Sequence, residues 1–454
     1  MTKSMTSGNP IKLILSFSVP LLIGNLLQQT YNMIDAAIVG RILGTDALAG
    51  VGATNSVQFL VLGFCIGICA GFSVPMARYF GAHNNEKLRS CIFNAYLLTG
   101  IFATVITAAT ALLCPNILRL LATPDNIYDN AYNYLLIIFL GIPFTLFYNL
   151  LAGMLRAVGD SRTPFIFLAI STVLNIALDL VFIIVIPMGC AGAALATVIA
   201  QACSGIACFI YIQKKYPLMK ITKDICRVKS NAIKELLCMG VPMGLQYSIT
   251  AIGSMVMQTS NNGLGSIYVS GFTAGSKLKQ FAMCPFDAIA TSVSIFSGQN
   301  LGAGNPKRIK RGILSGIAVS VSYGLIIGAV LVLFGRPLSI MFVDGGETAV
   351  LDASAQYLKC LGFFYWMLGI LNVCRMSIQG LGYSVVAIFS GFVEMFARIL
   401  ISKIFVPIYG FSAICFTDQC AWFSATVYCV IVCAVCLKKV TEMLSVKKLY
   451  IEKS

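Results

Sequence analysis

Twelve apolar runs, each long enough to cross a bilayer, constrain this chain more than any other feature. A crossing helix needs about 20 predominantly apolar residues. Such runs fall near 11–39, 47–75, 90–113, 126–155, 163–186 and 191–213. A polar stretch, 214–232, follows, and six more runs lie near 233–260, 266–297, 310–334, 348–376, 384–406 and 412–437. In hydrocarbon every backbone N–H and C=O must be satisfied within the protein, so separate runs of this length become helices. The expected fold is an all-α integral membrane protein with twelve transmembrane helices in two pseudo-symmetric six-helix lobes. The expected organisation is an N-lobe over 1–213, a cytoplasmic linker over 214–232 and a C-lobe over 233–454.

The charges give the orientation. The net charge of +15 could suggest a nucleic-acid partner, but that would need basic residues gathered on one solvated face. Here they sit in the gaps between apolar runs, so no nucleic-acid binding is expected. With the N-terminus inside, the inner segments hold Lys3, Lys12, Arg78, Lys87, Arg89, Arg156, Arg162 and Arg375. Seven more lie within 214–234, four within 307–311 and five within 438–453, making twenty-four. The outer loops hold three: Arg41, Arg119 and Arg336. Positive residues collect on the cytoplasmic side, so both termini are expected to be cytoplasmic.

Metal and nucleophile chemistry finds little material. The 17 Cys are scattered through apolar runs, and pairs such as Cys65/Cys69 and Cys433/Cys436 have no matching His or second CxxC; they read as small packing residues. A single histidine, His83, lies in a polar loop. The first apolar run, about 28 residues, exceeds a signal-peptide core and lacks a small-residue cleavage site. GFTAGSK (271–277) has the wrong glycine spacing for a phosphate loop and lies within a span. With no nucleotide-hydrolysing domain in view, uphill transport would draw on an ion gradient.

The chain repeats itself. Ile11, Lys12 and Pro20 correspond to Ile233, Lys234 and Pro242 at a shift of 222, and Gln58 to Gln280. Asn149 corresponds to Asn372 at 223, and Gly-Ala-His-Asn at 81–84 to Gly-Ala-Gly-Asn at 302–305 at 221. A six-helix unit repeated in one orientation implies lobes related by an axis along the membrane normal.

Ionisable groups inside spans are costly and mark function. Asp35 lies near the outer end of helix 1. Asn175 and Asp179 stand four apart on one face of helix 5, and Thr197 lies near the outer start of helix 6. At 1.5 Å per residue all three sites lie about 6–10 Å below the outer helix ends. Two carboxyls meeting there would share a proton or bind a cation. In the second half, Lys277 and Lys279 of helix 8 reach the depth of Glu394 in helix 11, with Arg398 four residues on. A polar network of Lys277, Gln280, Glu394 and Arg398 is expected, with Glu394 paired to Lys277 or Arg398 and Asp287 neutralising a lysine. Pro20, Pro143, Pro242 and Pro285 interrupt spans and mark possible bends.

The residues PLLIGNLLQQTYNMIDAAIVGRILGTDALAGVG (20–52), RAVGDSRTP (156–164), NIALDLVFI (175–183), SIFSGQNLGAGNPKRIKRG (294–312), Glu394 with Arg398, and DQCAW (418–422) together carry a resemblance. From about 8 to 440 the chain resembles the multidrug and toxic compound extrusion (MATE) family of secondary transporters. The resemblance implies a V-shaped pair of six-helix lobes and a multidrug efflux antiporter in a bacterial cytoplasmic (inner) membrane. It would export small amphipathic, cationic compounds in exchange for H+ or Na+, with no cofactor and no enzymatic activity. It implies a coupling site at Asp35, Asn175, Asp179 and Thr197, which would also hold Na+, with Gln28 beside it and helix bending at Pro20. One family branch has an acidic pair in helices 7 and 10; helix 7 offers no such carboxylate here, which shifts weight to the N-lobe.

A lipid-linked precursor flippase of the same superfamily is the alternative, favoured by Lys277, Lys279 and Arg398 and opposed by the N-lobe acids. An intramembrane enzyme or receptor would need a nucleophile–base set or metal ligands that the spans lack. Membrane lipids are the expected surroundings, and a monomer the expected state.

Overall fold

The computed structural model describes residues 4–121, 123–222 and 227–453; Lys3, Lys223 and Cys226 of the counts above fall outside them. Fourteen α-helical segments follow in order: α1 Pro10–Ile42, α2 Thr45–Gly81, α3 Asn85–Leu120, α4 Asp125–Leu140, α5 Ile142–Ala157, α6 Arg162–Leu180 and α7 Cys190–Lys215. Then come α8 Ser230–Asn262, α9 Ser266–Gly302, α10 Pro306–Ser339, α11 Thr348–Gly380, α12 Ser384–Leu400, α13 Val406–Tyr409 and α14 Phe411–Lys453. No strand occurs among the described residues. Among the described residues eleven helices are long and apolar enough to cross a membrane. The pair α4 and α5, bent by 46°, passes the same test together and, taken as one broken span, brings the number to twelve. The bend falls at Gly141, where a side chain would meet Val198 at 2.3 Å, and Pro143 starts the second half. Predicted helices 5, 6, 7, 8, 11 and 12 are therefore α6, α7, α8, α9, α12 and α14.

The repeat extends to the backbone. Gly159 and Gly382, both with positive φ, precede α6 and α12; Gly189 and Gly410, also positive, precede α7 and α14. Asn84 and Asn305 each cap the next helix, accepting from Lys87 N at 3.0 Å and Arg308 N at 3.3 Å. After α6 and again after α12 the helix widens to a five-residue hydrogen-bond step, over Val181–Val185 and Ile401–Phe405. Such widened turns recur at functional sites.

By packing, the chain forms two compact units. Unit 1 runs from Ile23 to Gly244, and unit 2 joins Met5–Leu22 to the chain from Leu245 onward. The changes of unit fall inside α1 and α8, two residues after Pro20 and Pro242. Unit 1 is built on α2 against α4 and α5, with α6 beside α7. In unit 2, α11 is surrounded by α9, α10 and α14. There a Cβ on Gly328 would lie 2.3 Å from the Gly362 carbonyl oxygen, so α10 and α11 touch backbone to backbone. Small residues permit this close approach in lipid, where packing and interhelical hydrogen bonds replace the hydrophobic drive between helices. The described cysteines form no disulfide, and most are buried between helices.

Candidate functional site

One end of unit 1 brings the sequence candidates together. Asp35 stands seven residues before the end of α1, Asp179 six before the end of the widened turn, and Thr197 seven after the start of α7. These offsets equal about 9–10 Å of helix rise, so all three share a level. Asp35 is 9% exposed, Asp179 0% and Asn175 3%. The Asp35 and Asp179 carboxyls lie close enough to interact directly. Asn175 Nδ2 donates to Thr197 Oγ1 at 3.3 Å, and that hydroxyl donates to the Ala193 carbonyl at 3.2 Å.

The acceptors at this site outnumber the donors. Asp35 Oδ1, both Asp179 carboxylate oxygens and Asn175 Oδ1 are buried with no hydrogen-bond partner. A buried carboxylate without a donor is too expensive to remain as such, so the cluster has the chemistry of a proton or cation receptor. Two carboxylates with neutral amide and hydroxyl oxygens make a hard oxygen donor set, the type that suits H+ or an alkali cation rather than a soft metal. Among the described residues no three His, Cys, Asp or Glu converge.

Two neighbours escaped the sequence reading. Tyr31, one turn before Asp35, has its hydroxyl close to Gln28 and to both acids. It also lines a small pocket with Leu168, Ser171, Thr172, Asn175, Thr197 and Gln201. The free space for water centres is about 10 Å³, room for one water or one desolvated ion and far below a drug-sized cavity. Gln201 Oε1 is buried without a donor. A tyrosine one turn from Asp35 and a Gln one turn from Thr197 are signals the i, i+4 rule could have found. One turn beyond the two acids, Val39 and Ile183 belong to a buried apolar group that also includes Val51, Tyr134 and Ile138. Pro20, the expected bend, is buried in the part of α1 that packs with unit 2.

Unit 2 holds a different arrangement from the one expected. Glu394 pairs with Arg398 at 3.4 Å, and also with Arg375. Arg398 Nε donates to Asp418 Oδ1 at 3.1 Å, and Lys279 Nζ to Asp418 Oδ2 at 2.8 Å. The Tyr357 hydroxyl adds a third donor to Asp418 at 3.1 Å. Lys277 and Gln280 do not join: both are exposed on α9, two and one residues to either side of Lys279 along a helix that turns them away. The chain of charges is therefore Lys279, Asp418, Arg398, Glu394, Arg375. Arg375, counted above with the loop charges, is drawn into the helix bundle because Glu394 is there to meet it. Asp418 was visible in sequence as an acid inside a span, the same signal that singled out Asp35. Asp287 lies near Arg375 rather than a lysine. α8 does carry one carboxylate, Glu235, at its first turns, where Arg78 and Tyr79 of α2 hold it.

The two units correspond at these positions. Counted from the paired glycines, Asn175 matches Arg398 from Gly159 and Gly382, and Thr197 matches Asp418 from Gly189 and Gly410. The neutral Asn175–Thr197 bond in unit 1 thus stands where the Arg398–Asp418 ion pair stands in unit 2.

Comparison with known proteins agrees with this architecture. The chain is 33% identical over 379 residues to the probable multidrug resistance protein YpnP of Bacillus subtilis (strain 168), covering 83% of this chain and 84% of that protein. It is 26% identical over 370 residues to a protein of Shewanella oneidensis named FAD transporter, covering 80% of each. The solved structure of a MATE in complex with MaL6 superposes with a TM-score of 0.90 at 20% identity, over 97% of this chain and 100% of that one, which is a likeness of fold. The MatE family profile matches residues 20–181 and again 242–404, once for each half of the internal repeat, and the chain belongs to this family of multidrug efflux transporters.

Proposed function

We propose that the chain is a secondary active exporter that exchanges small amphipathic, cationic compounds for H+ or Na+, with Asp35 and Asp179 as the coupling acids. The observation that carries this reading is the neighbouring pair of buried carboxyls in unit 1, three of whose four oxygens have no hydrogen-bond partner. A proton and a sodium ion are alternative occupants of one site: either supplies the positive charge that the acids lack, and binding one excludes the other. The ion-sized pocket lined by Tyr31, Asn175, Thr197 and Gln201 supports this cluster as a site for the ion rather than for a drug-sized substrate. The excess of basic residues in the inner segments supports cytoplasmic termini in a bacterial inner membrane.

A flippase would need free bases to hold a pyrophosphate. Lys279, Arg375 and Arg398 are instead taken up by Asp418 and Glu394, which leaves Lys277 as the exposed base on that stretch of α9 and favours the cationic substrate. The test is uptake of a fluorescent cation into proteoliposomes, driven separately by a proton and a sodium gradient. Either gradient is expected to drive the wild type, with Asp35→Asn and Asp179→Asn each reducing transport at least tenfold. Full transport by both variants refutes the site; movement of FAD or a lipid pyrophosphate but of no cationic dye refutes the substrate class.

A further inference from the structure

The seam between α11 and α14, both in unit 2, carries thiols that the candidate site does not use. From Gln356 with Ser412 to Met367 with Thr426 the partner numbers rise together, so the two helices run parallel. Gln356 Nε2 donates to Ser412 Oγ at 3.2 Å. Further along, the rings of Phe364 and Phe416 meet edge to face, their centroids 6.5 Å apart. Gln356, Cys360 and Phe364 follow one another at four-residue spacing, and Ser412 stands three and four residues before Cys415 and Phe416. Each set therefore lies on one helix face. Cys360 and Cys415 fall between the hydrogen bond and the ring contact, and their thiols lie close enough to interact directly.

Among the described residues no three His, Cys, Asp or Glu converge, so the pair is not a metal site. Two adjoining thiols can, however, join. Access to them differs. Cys360 is half-buried and Cys415 is 0% exposed. Gln356, Lys359 and Ser412 are all exposed at this level, and an exposed amine needs water rather than hydrocarbon around it, so a small uncharged oxidant can reach Cys360 from a wet surface. We propose that Cys360 and Cys415 form a peroxide-responsive pair, in which Cys360 reacts first and Cys415 resolves it into a disulfide that ties α11 to α14. In the first step the Cys360 sulfur displaces one oxygen of hydrogen peroxide, giving a sulfenic acid and one water. In the second the Cys415 sulfur displaces that hydroxyl group, forming the S–S bond and releasing a second water. The two electrons that the sulfurs lose reduce the peroxide O–O bond, and the two thiol protons end in the two waters. The tie falls beside the charge network. Tyr357, three residues before Cys360, donates at 3.1 Å to Asp418, three residues after Cys415. A disulfide holds its Cα atoms about 5.5–6 Å apart, so it fixes the helix spacing within one turn of that bond. A second pair on the seam, Cys374 and Cys433, lies seven residues beyond Met367 and Thr426. Both are 3% exposed and are expected to stay reduced.

The test treats the wild-type protein in nanodiscs with hydrogen peroxide, blocks free thiols with N-ethylmaleimide in SDS, and maps linked peptides by mass spectrometry. A link between Cys360 and Cys415 is expected, reversed by dithiothreitol, with Cys374 and Cys433 fully alkylated. Cys415→Ala should give no link but a sulfenic acid at Cys360 that dimedone traps, whereas Cys360→Ala should leave Cys415 reduced. That order of attack separates a built pair from chance oxidation, and the wild-type mapping stands even where a variant fails to fold. Unfolding of the oxidised wild type should move to higher SDS and return on reduction. Full alkylation of both thiols after peroxide, or linkage of either to another cysteine, overturns the proposal. So does oxidation of Cys374 and Cys433 ahead of them. The oxidation chemistry is the same whatever the chain transports, so its failure leaves the exporter reading untouched.

Discussion

Asp418→Asn tests whether the unit 2 charges act as one network. Asp418 is 1% exposed and accepts from Lys279, Arg398 and Tyr357. Without its charge Arg398 still has Glu394 at 3.4 Å, but Lys279 loses the acid it pairs with, and its side chain is 16% exposed. Removing one partner of a buried pair costs about 3–5 kcal/mol, chiefly because the other charge is left uncompensated. Asparagine keeps the volume and one acceptor oxygen, and Lys279 keeps some exposure, so a loss of about 3 kcal/mol is expected. That corresponds to roughly a hundredfold in the folding equilibrium. The double variant Asp418→Asn/Lys279→Met removes both charges, and replacing a buried pair by apolar groups is close to neutral, so it should regain about 2 kcal/mol of the loss. The assay is reversible unfolding in mixed SDS–detergent micelles followed by circular dichroism, read as a double-mutant cycle. A single-variant loss below about 1 kcal/mol, or losses that simply add in the double variant, would refute the network.

Two further outcomes are expected. His83 adopts φ 53°, where its repeat counterpart Gly304 adopts 69°; a side chain in this left-handed region costs about 1–2 kcal/mol. His83→Gly should therefore stabilise the protein by about 1 kcal/mol, net of the chain entropy glycine adds, in the same unfolding assay, and a loss of stability would contradict it. Gln201 presents a buried, unpartnered amide oxygen to the pocket beside Asn175 and Thr197. A hydrogen-bond-strength contact to a charge contributes about 1.5–3 kcal/mol, so Gln201→Leu should raise the half-saturating concentration of the coupling ion about tenfold or more while leaving the maximal rate near wild type. An unchanged ion dependence would remove Gln201 from the site.

How much of this was legible in the sequence follows the physics of each signal. Span positions were clear because hydrocarbon forces long apolar runs into helices, and the break at Gly141 leaves both halves apolar, so the run over 126–155 reads as one span. The level of Asp35, Asp179 and Thr197 was computable because each lies a few residues from a helix end and helix rise is constant. The partners of Glu394 were not. On α9, Lys277 and Lys279 stand two residues apart, about 200° around the helix, and depth alone cannot say which of them faces inward. Arg375 lies at the edge of its span, where composition reads equally as loop or helix. The packing of 227–244 against α2 was hidden for another reason. The hydrophobic pattern places α8 wholly in the second half, and only the facing glycines, Gly67 with Gly244 and Gly71 with Gly240, distant in sequence, reveal that its first turns pack with the first.

The correspondence between the units bears on where coupling can occur. At one and the same junction, where the fifth and sixth helices of each repeat meet, unit 1 places Asn175 against Thr197 and unit 2 places Arg398 against Asp418. Unit 1 adds two acids, Asp35 and Asp179, three of whose four oxygens are buried without a hydrogen-bond partner. Unit 2 adds Glu394, and both it and Asp418 already touch a guanidinium. Arginine cannot deprotonate in a protein and cannot diffuse away, so Arg398 is a tethered cation in the position where unit 1 has none. A site that holds its cation covalently cannot release it to the other side of the membrane. If the chain exchanges H+ or Na+ as proposed, the exchange is expected in the half of the repeat where the positive charge is left to come from solution, which is unit 1.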